Sequence, residues 1–210
     1  DVAVINVDDN SPDGTGAIAD AWAAAHPGKL IAVHRSGKLG LGTAYVAGFR
    51  RAFELGASRV ITMDADFSHN PRYIPAIIAK SEYADVVIGS RYVPGGDMLY
   101  CPWYRKTLSG GANFVARTAL GLRARDTTAG FRLYRREVLE SINFDGIFSS
   151  GYSFLIEMLY LVQRAGWRVA EVPIIYEDRT QGQTKISRSE IYRALYTVAR
   201  LAFRRFVRRK

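Results

Sequence analysis

Apolar residues recur along this chain in two rhythms, and their alternation predicts an architecture. Short runs of aliphatic and β-branched residues at 2–7, 30–34, 60–63 and 85–89 read as buried strands. Between them, apolar positions at helical spacing predict helices over 16–25 and about 43–55, and another opened by Asn70-Pro71. Pro27-Gly28 and Gly56 close the first two. Ser11 or Asp13 is placed to cap the first of these helices. Strand–helix alternation of this kind implies a mostly parallel sheet covered on both faces.

Past Arg91 the rhythm changes. Residues 93–101, with Pro94-Gly95-Gly96, read as loop, and 102–120 as a long helix. Residues 126–132 form a loop into a short strand ending at Tyr134. Two helices flank 147–151, the longer over 153–165. A strand over 168–176 and a polar loop over 177–185 precede a last helix from about Ser189. No repeat, low-complexity stretch or linker marks a further domain, as suits a length of 210 residues.

The strand at 60–63 has apolar character throughout, which predicts burial on both faces, and it ends in Asp64 and Asp66. Residues i and i+2 of an extended chain point the same way, so both carboxylates can reach one point. Two hard oxygen ligands there suit Mg²⁺ or Mn²⁺ holding a diphosphate; an acidic strand-to-loop turn is the plainer alternative. A similar acidic end follows the first strand, in Val7-Asp8-Asp9-Asn10-Ser11-Pro12-Asp13-Gly14-Thr15.

Composition narrows the class. The 48% hydrophobic and 23% charged residues are those of an ordinary globular chain. The single cysteine, Cys101, excludes an internal disulfide framework and suits a reducing compartment. No apolar run reaches bilayer length, and no charged-then-apolar leader opens the chain, so a soluble or peripheral protein is expected. A net charge of +9, concentrated in the last third, favours anionic partners.

Several familiar chemistries are missing. Tyr45 stands where a G-x-G-x-x-G motif needs its third glycine, and no Gly-Lys-Ser/Thr completes a phosphate loop. Gly40-Leu41-Gly42 is then either a turn with Lys38 near a phosphate or a plain structural turn. No G-x-S-x-G elbow is present, and His26, His34 and His69 are too scattered for a zinc site. His69, in a loop, is expected to be solvated. Arg91, Arg105, Arg132, Arg179 and Lys185 each fall at a strand end, helix start or loop, and their recurrence beside Gly and Ser/Thr favours phosphate binding by some of them. The last helix places Ile191, Leu195, Val198, Ala202 and Phe206 on one face and Arg193, Arg200, Arg204 and Arg208 opposite. Such a helix lies on an anionic membrane or packs its apolar face on the domain; the terminal Arg-Arg-Lys favours the membrane.

Taken in order, Val-Asp-Asp-Asn-Ser-Pro-Asp-Gly-Thr, Met-Asp-Ala-Asp-Phe-Ser-His, Ile-Gly-Ser-Arg-Tyr-Val-Pro-Gly-Gly, Asp-Thr-Thr-Ala-Gly-Phe-Arg and Glu-Val-Pro-Ile resemble a family 2 glycosyltransferase of GT-A fold. Within it the chain resembles the dolichol-phosphate or polyprenol-phosphate mannosyltransferases, the actinobacterial type especially. The resemblance implies an α/β, Rossmann-like, mostly parallel sheet flanked by helices, without the family's usual first strand–helix unit. It implies a catalytic domain over 1–187 and a basic amphipathic helix over 188–210. It further implies inverting transfer of mannose from GDP-mannose to a polyprenyl phosphate, on the cytoplasmic face of a membrane. The enzyme would be peripheral there, with a membrane-anchoring protein as a further partner and no nucleic acid.

The implied roles follow the motifs. Asp8 or Asp9 contacts the nucleoside, and Lys38, Arg179 and Lys185 serve the nucleotide sugar. Asp64 and Asp66 hold Mg²⁺ or Mn²⁺ and the diphosphate, with Ser68 where some relatives carry a glutamine ligand. Asp66, Arg91 and Arg132 act at the reacting centre, and Arg91, Arg105 and Arg132 bind the acceptor phosphate. Two alternatives stand beside this reading. One is glucose transfer from UDP-glucose to the same lipid. The other is a basic nucleic-acid-binding module, which would bind DNA salt-sensitively and ignore sugar nucleotides.

Overall fold

The computed structural model describes residues 2–177 and 188–207, in two compact units, Asp1–Ser58 and Arg59–Lys210. The first unit is a βαβα run: β1 (Val4–Asp8), α1 (Thr15–Ala25), β2 (Leu30–His34) and α2 (Leu41–Glu54). β1 and β2 pair in parallel from Val4↔Leu30 to Asp8↔His34, which the intervening helix permits. α1 packs on β2 and α2 on β1, burying Ala19, Phe49 and Ala52. The start of α1 is fixed differently from expectation. Gly14, left-handed at φ 84°, takes the cap position, and Asp13 Oδ1 accepts the Thr15 N–H at 3.1 Å.

The second unit carries β3 (Arg59–Thr62), α3 (Ile74–Lys80), β4 (Val86–Ser90), β5 (Asp97–Leu99) and α4 (Trp103–Leu120). It continues with β6 (Arg132–Arg135), α5 (Arg136–Glu140), α6 (Ser153–Arg164), β7 (Val169–Pro173), β8 (Ile175–Glu177) and α7 (Arg188–Val207). Asn70 caps the helical turn at Pro71–Tyr73 that leads into α3. Its larger sheet runs β3-β6-β4-β7. β4 and β7 are parallel, but β6 is antiparallel to both β3 and β4. The core under this sheet joins Ile77, Val87, Phe131, Leu133 and Ile174. β4 is buried at every residue, and α6 is apolar almost all round because it is buried on most sides.

Three elements depart from the sequence reading. β3 is half-buried rather than covered on both faces, and Met63 beyond it is exposed. The stretch 168–176 is two strands: at Pro173, which lacks an N–H for the ladder, the chain leaves β4 and continues as β8 beside β5. β5 itself lies inside the expected loop, drawn into order by that pairing.

The antiparallel β6 matters most for function. Arg132, its first residue, lies opposite Thr62 at the end of β3 and Ile88 near the end of β4. The segment entering β6 therefore reaches the rim where β3 hands over to Asp64 and β4 to Arg91.

Candidate active site

Two loops and one strand end meet at this rim. In the first loop, Asp66 Oδ1 accepts both the N–H and the hydroxyl of Ser68, closing a tight turn. The turn forces Phe67 into the left-handed region at φ 64° and leaves it 94% exposed. The chain then dips inward, so that Ser68 and His69 are buried. His69 Nδ1 accepts the Asp64 backbone N–H at 2.9 Å, and its ring lies 5.2 Å from Phe131 and 6.1 Å from Tyr176, centroid to centroid. Burial holds the imidazole below the ordinary histidine range although Asp64 and Asp66 pull it upward. The expectation of a solvated His69 is thus corrected, since its ring packs against Phe131 and Tyr176.

At the end of β4, Arg91 makes a fork with Asp126: Nε to Oδ2 and Nη2 to Oδ1, both at 2.7 Å. Nη2 also donates to Thr128 Oγ1 at 2.9 Å, and the Arg91 backbone N–H donates to Asp126 Oδ2 at 3.1 Å. The guanidinium carbon lies 5.4 Å from the ring centroids of both Tyr92 and Tyr176. Burial would raise the Asp126 carboxyl, yet the Arg91 charge outweighs it and holds the group below the ordinary carboxylate range. Burial likewise opposes the Arg91 charge and Asp126 overcomes it, so the guanidinium stays ionised.

The second loop is braced from every side. Glu171 on β7 accepts the N–H groups of Arg125 and Asp126 at 2.8 and 3.0 Å. Asn113 on α4 accepts the Thr127 N–H and hydroxyl, and Thr62 Oγ1 donates to Gly130 O. Arg132 is the centre of this brace. It is wholly buried, and it donates from Nε to Ala129 O, from Nη2 to Thr127 O and from Nη1 to Leu155 O. Nη1 also reaches Tyr134 Oη at 3.3 Å. Expected as a phosphate ligand, Arg132 here directs these donors to three backbone carbonyls and one tyrosine hydroxyl.

The other predicted residues separate. Asp64 and Asp66 share one turn at the rim, and the charges of Asp64, Asp66, Arg91 and Asp126 all reach His69. Ser68, expected as a metal ligand, turns its buried hydroxyl to Asp66 instead. Arg105 sits half-buried in the first turn of α4. In the first unit Asp8 is buried, accepts the Ser11 N–H at 3.3 Å and lies 3.7 Å from His34 Nδ1. Gly16 makes room for it, because a Cβ there would lie 2.9 Å from Asp8 Oδ2. Asp9 pairs with Arg35 Nη1 at 2.9 Å, so it is engaged within the unit, and Lys38 is exposed on the loop before α2. Arg179 and Lys185 fall outside the described residues. Sequence reasoning assigned no role to Asp126, Asn113, Glu171 or Tyr176. Asp126 had one signal, an acid set among Thr-Thr-Ala-Gly; the other three act only through tertiary contact.

Residues 1–142 match the model of Glycosyl transferase family 2. The chain belongs to this family. Polyprenol monophosphomannose synthase of Mycolicibacterium smegmatis is 45% identical over 204 residues, 97% of this chain and 77% of that protein. Undecaprenyl-phosphate mannosyltransferase of Micrococcus luteus is 44% identical over 197 residues, 94% of this chain and 81% of that protein. Among solved structures, glucosyl-3-phosphoglycerate synthase from Mycobacterium tuberculosis, in complex with Mn²⁺, UDP-glucose and phosphoglyceric acid, matches with a TM-score of 0.60 at 20% identity. That match covers 94% of this chain and 68% of the other, and it bears out the expected α/β, GT-A fold of this glycosyltransferase.

The residues present fit a divalent cation as a two-carboxylate holder. Asp64 and Asp66 follow one strand end, and among the described residues no third His, Cys, Asp or Glu joins them. Mg²⁺ and Mn²⁺ are commonly held by one or two carboxylates, with phosphate oxygens and water completing the shell.

The C-terminal helix also departs from the sequence reading. α7 packs on α4 and α6 through Val198 and Leu201, with Thr197 buried beside them. Ile191 and Leu195, expected on the same apolar face as Val198, point outward with Tyr192, Tyr196 and Phe203. Arg200 and Arg204 lie over the Phe148 ring at 4.0 and 5.3 Å. The sequence offers two overlapping apolar stripes, and the position of α4 and α6 decides which is buried. Phe206 and Arg208 lie outside the described side chains.

Proposed function

We propose that this glycosyltransferase moves mannose, with inversion, from GDP-mannose to a polyprenyl phosphate, using Mg²⁺ or Mn²⁺. The observation that carries the reading is the guanidinium of Arg91, fixed by a buried carboxylate on the same rim as the Asp64–Asp66 turn. A guanidinium fixed in place beside an acidic pair suits two phosphate-bearing partners, one held through metal and one attracted by the fixed positive charge. The relatives named for polyprenol and undecaprenyl phosphate support the acceptor class. Arg91 and Arg105 take the acceptor phosphate, Asp66 acts at the metal, and Asp8, Lys38, Arg179 and Lys185 serve the nucleotide sugar. Bound metal supplies charge neutralisation on the diphosphate.

No protein base is required. A phosphate monoester has a second pKa of about 6, so at neutral pH an acceptor oxygen is already anionic. That oxygen forms the bond to the anomeric carbon as the bond to the diphosphate breaks, and the electron pair leaves on GDP. The protein supplies position and positive charge. Asp126 is committed to Arg91, and His69 Nδ1 to the Asp64 N–H, so neither is posed to take a proton.

Access to a lipid acceptor agrees with the outward face of the second unit. Trp103, Tyr104, Leu108 and Phe114 on α4 are exposed, as are Tyr192, Tyr196 and Phe203 on α7. Among the described residues no helix is long and apolar enough to cross a membrane. The protein docks peripherally on the cytoplasmic face, directly or with a membrane-anchoring partner. The test is calorimetry with GDP-mannose and UDP-glucose, each with Mn²⁺ or chelator, followed by transfer to a polyprenyl phosphate. Mn²⁺-dependent binding of GDP-mannose alone is expected; preference for UDP-glucose would replace the donor.

A further inference from the structure

We propose that His69 is the positioning residue of the Asp64–Asp66 carboxylate pair, holding the turn through the backbone of Asp64. The inference rests on the metal reading above. β3 ends at Thr62, where its pairing with β6 also ends, so the Asp64 N–H lies beyond the ladder. It donates instead to His69 Nδ1 at 2.9 Å. As an acceptor, Nδ1 carries no proton, which places the proton of the neutral ring on Nε2. The ring is 4% exposed and cannot swing away, being stacked on Phe131 and set edge-on to Tyr176.

A second observation shows that the turn needs holding. Phe67, between the second carboxylate and Ser68, sits at φ 64°, a conformation that a bulky residue avoids. Its exposed ring contributes little packing to offset that cost. The turn persists because it is pinned on both sides, by Ser68 to Asp66 and by His69 to Asp64. Release of the His69 pin frees the backbone that aims Asp64, and the two carboxylates lose their common target.

The test uses three variants. His69→Asn keeps an acceptor, Oδ1, near the place of Nδ1, whereas His69→Gln and His69→Ala do not. In the metal-free protein, ¹⁵N spectra of the parent should show Nδ1 bare and Nε2 protonated, and the Asp64 amide should be protected from exchange. His69→Asn should retain that protection and His69→Ala should lose it. In calorimetry with GDP-mannose and Mn²⁺, His69→Ala and His69→Gln should weaken binding by about 10- to 100-fold, the usual cost of losing an outer-shell partner, with His69→Asn recovering most of it. Unchanged Asp64 protection in His69→Ala, or equal weakening in the Asn and Ala variants, would overturn the proposal. If the parent itself binds equally well in chelator, the metal reading falls and this inference with it; a metal-dependent parent matched by His69→Ala sinks this inference alone.

Discussion

The two loops at the rim, 64–70 and 126–132, are built on opposite plans. The first is shallow up to Phe67: its hydrogen bonds are local, Phe67 is strained and stands in water, and only Ser68 and His69 turn inward. The second is deep: Asp126, Thr127 and Arg132 are fully buried and tied to α4, α6, β4 and β7. The difference separates two uses of polar chemistry. A loop proposed to take a cation and a diphosphate keeps its carboxylates partly exposed. A loop that must hold one guanidinium still places its charges inside, where a fixed pair resists reorganisation. Arg91 and Arg132 make the contrast within one residue type, one paired with a buried carboxylate and the other bonded mainly to backbone carbonyls.

The largest effect that tests this contrast is at Arg132. Arg132→Met should cost about 3–5 kcal/mol of stability by urea denaturation, because it strands three buried carbonyls and leaves Asp126 with less positive charge nearby. Any lost transfer should track the unfolded fraction. A stable, folded Arg132→Lys that binds donor and fails to transfer would return this residue to the phosphate site.

Asp126→Asn comes next, and its signature lies in acid. The Asp126 carboxyl is depressed in the folded protein, so its stabilisation is present above the ordinary value of about 4 and is lost as pH falls through the depressed one. The melting-temperature gap between parent and Asp126→Asn should therefore be wide at neutral pH and begin to narrow only as pH falls below the ordinary carboxylate value. A constant gap would mean that the Arg91–Asp126 charge pair is not what holds the deep loop.

The shallow loop should behave differently. Asp66→Asn should leave the melting temperature nearly unchanged while weakening Mn²⁺-supported binding of GDP-mannose by about 100-fold, at least the loss typical of an outer-shell partner. Unchanged affinity in chelator for the parent would remove the metal from the site. The smallest effect per residue concerns α7, which repeats the deep–shallow division on two faces of one helix. Replacing Arg200, Arg204 and Arg208 by Gln should reduce anionic-vesicle binding by about 1 kcal/mol per residue. Equal co-sedimentation of variant and parent would mean that this outward face does not meet lipid.

Local pattern made much of this legible. β2 has its expected bounds, and α1, α2, α4 and α6 differ from expectation by a residue or two, because amphipathic period and Gly/Pro stops act within a few residues. The acidic pair and the rim position of Arg91 were legible for the same reason. What was not legible depends on distant chain. The direction of β6 is set by a connection through β5 and α4. The burial of Arg132, Ser68 and His69 is set by which carbonyls and rings close around them. An arginine beside Gly and Phe reads as a phosphate ligand, and nothing local in the sequence shows that Ala129, Thr127 and Leu155 accept from it.

Phe67 has a consequence for how this protein would answer selection. A left-handed phenylalanine with an exposed ring gives up about 1–3 kcal/mol that glycine would not. A library screened for heat resistance alone would be expected to return glycine at this position early. Folding alone therefore does not account for a phenylalanine at this position.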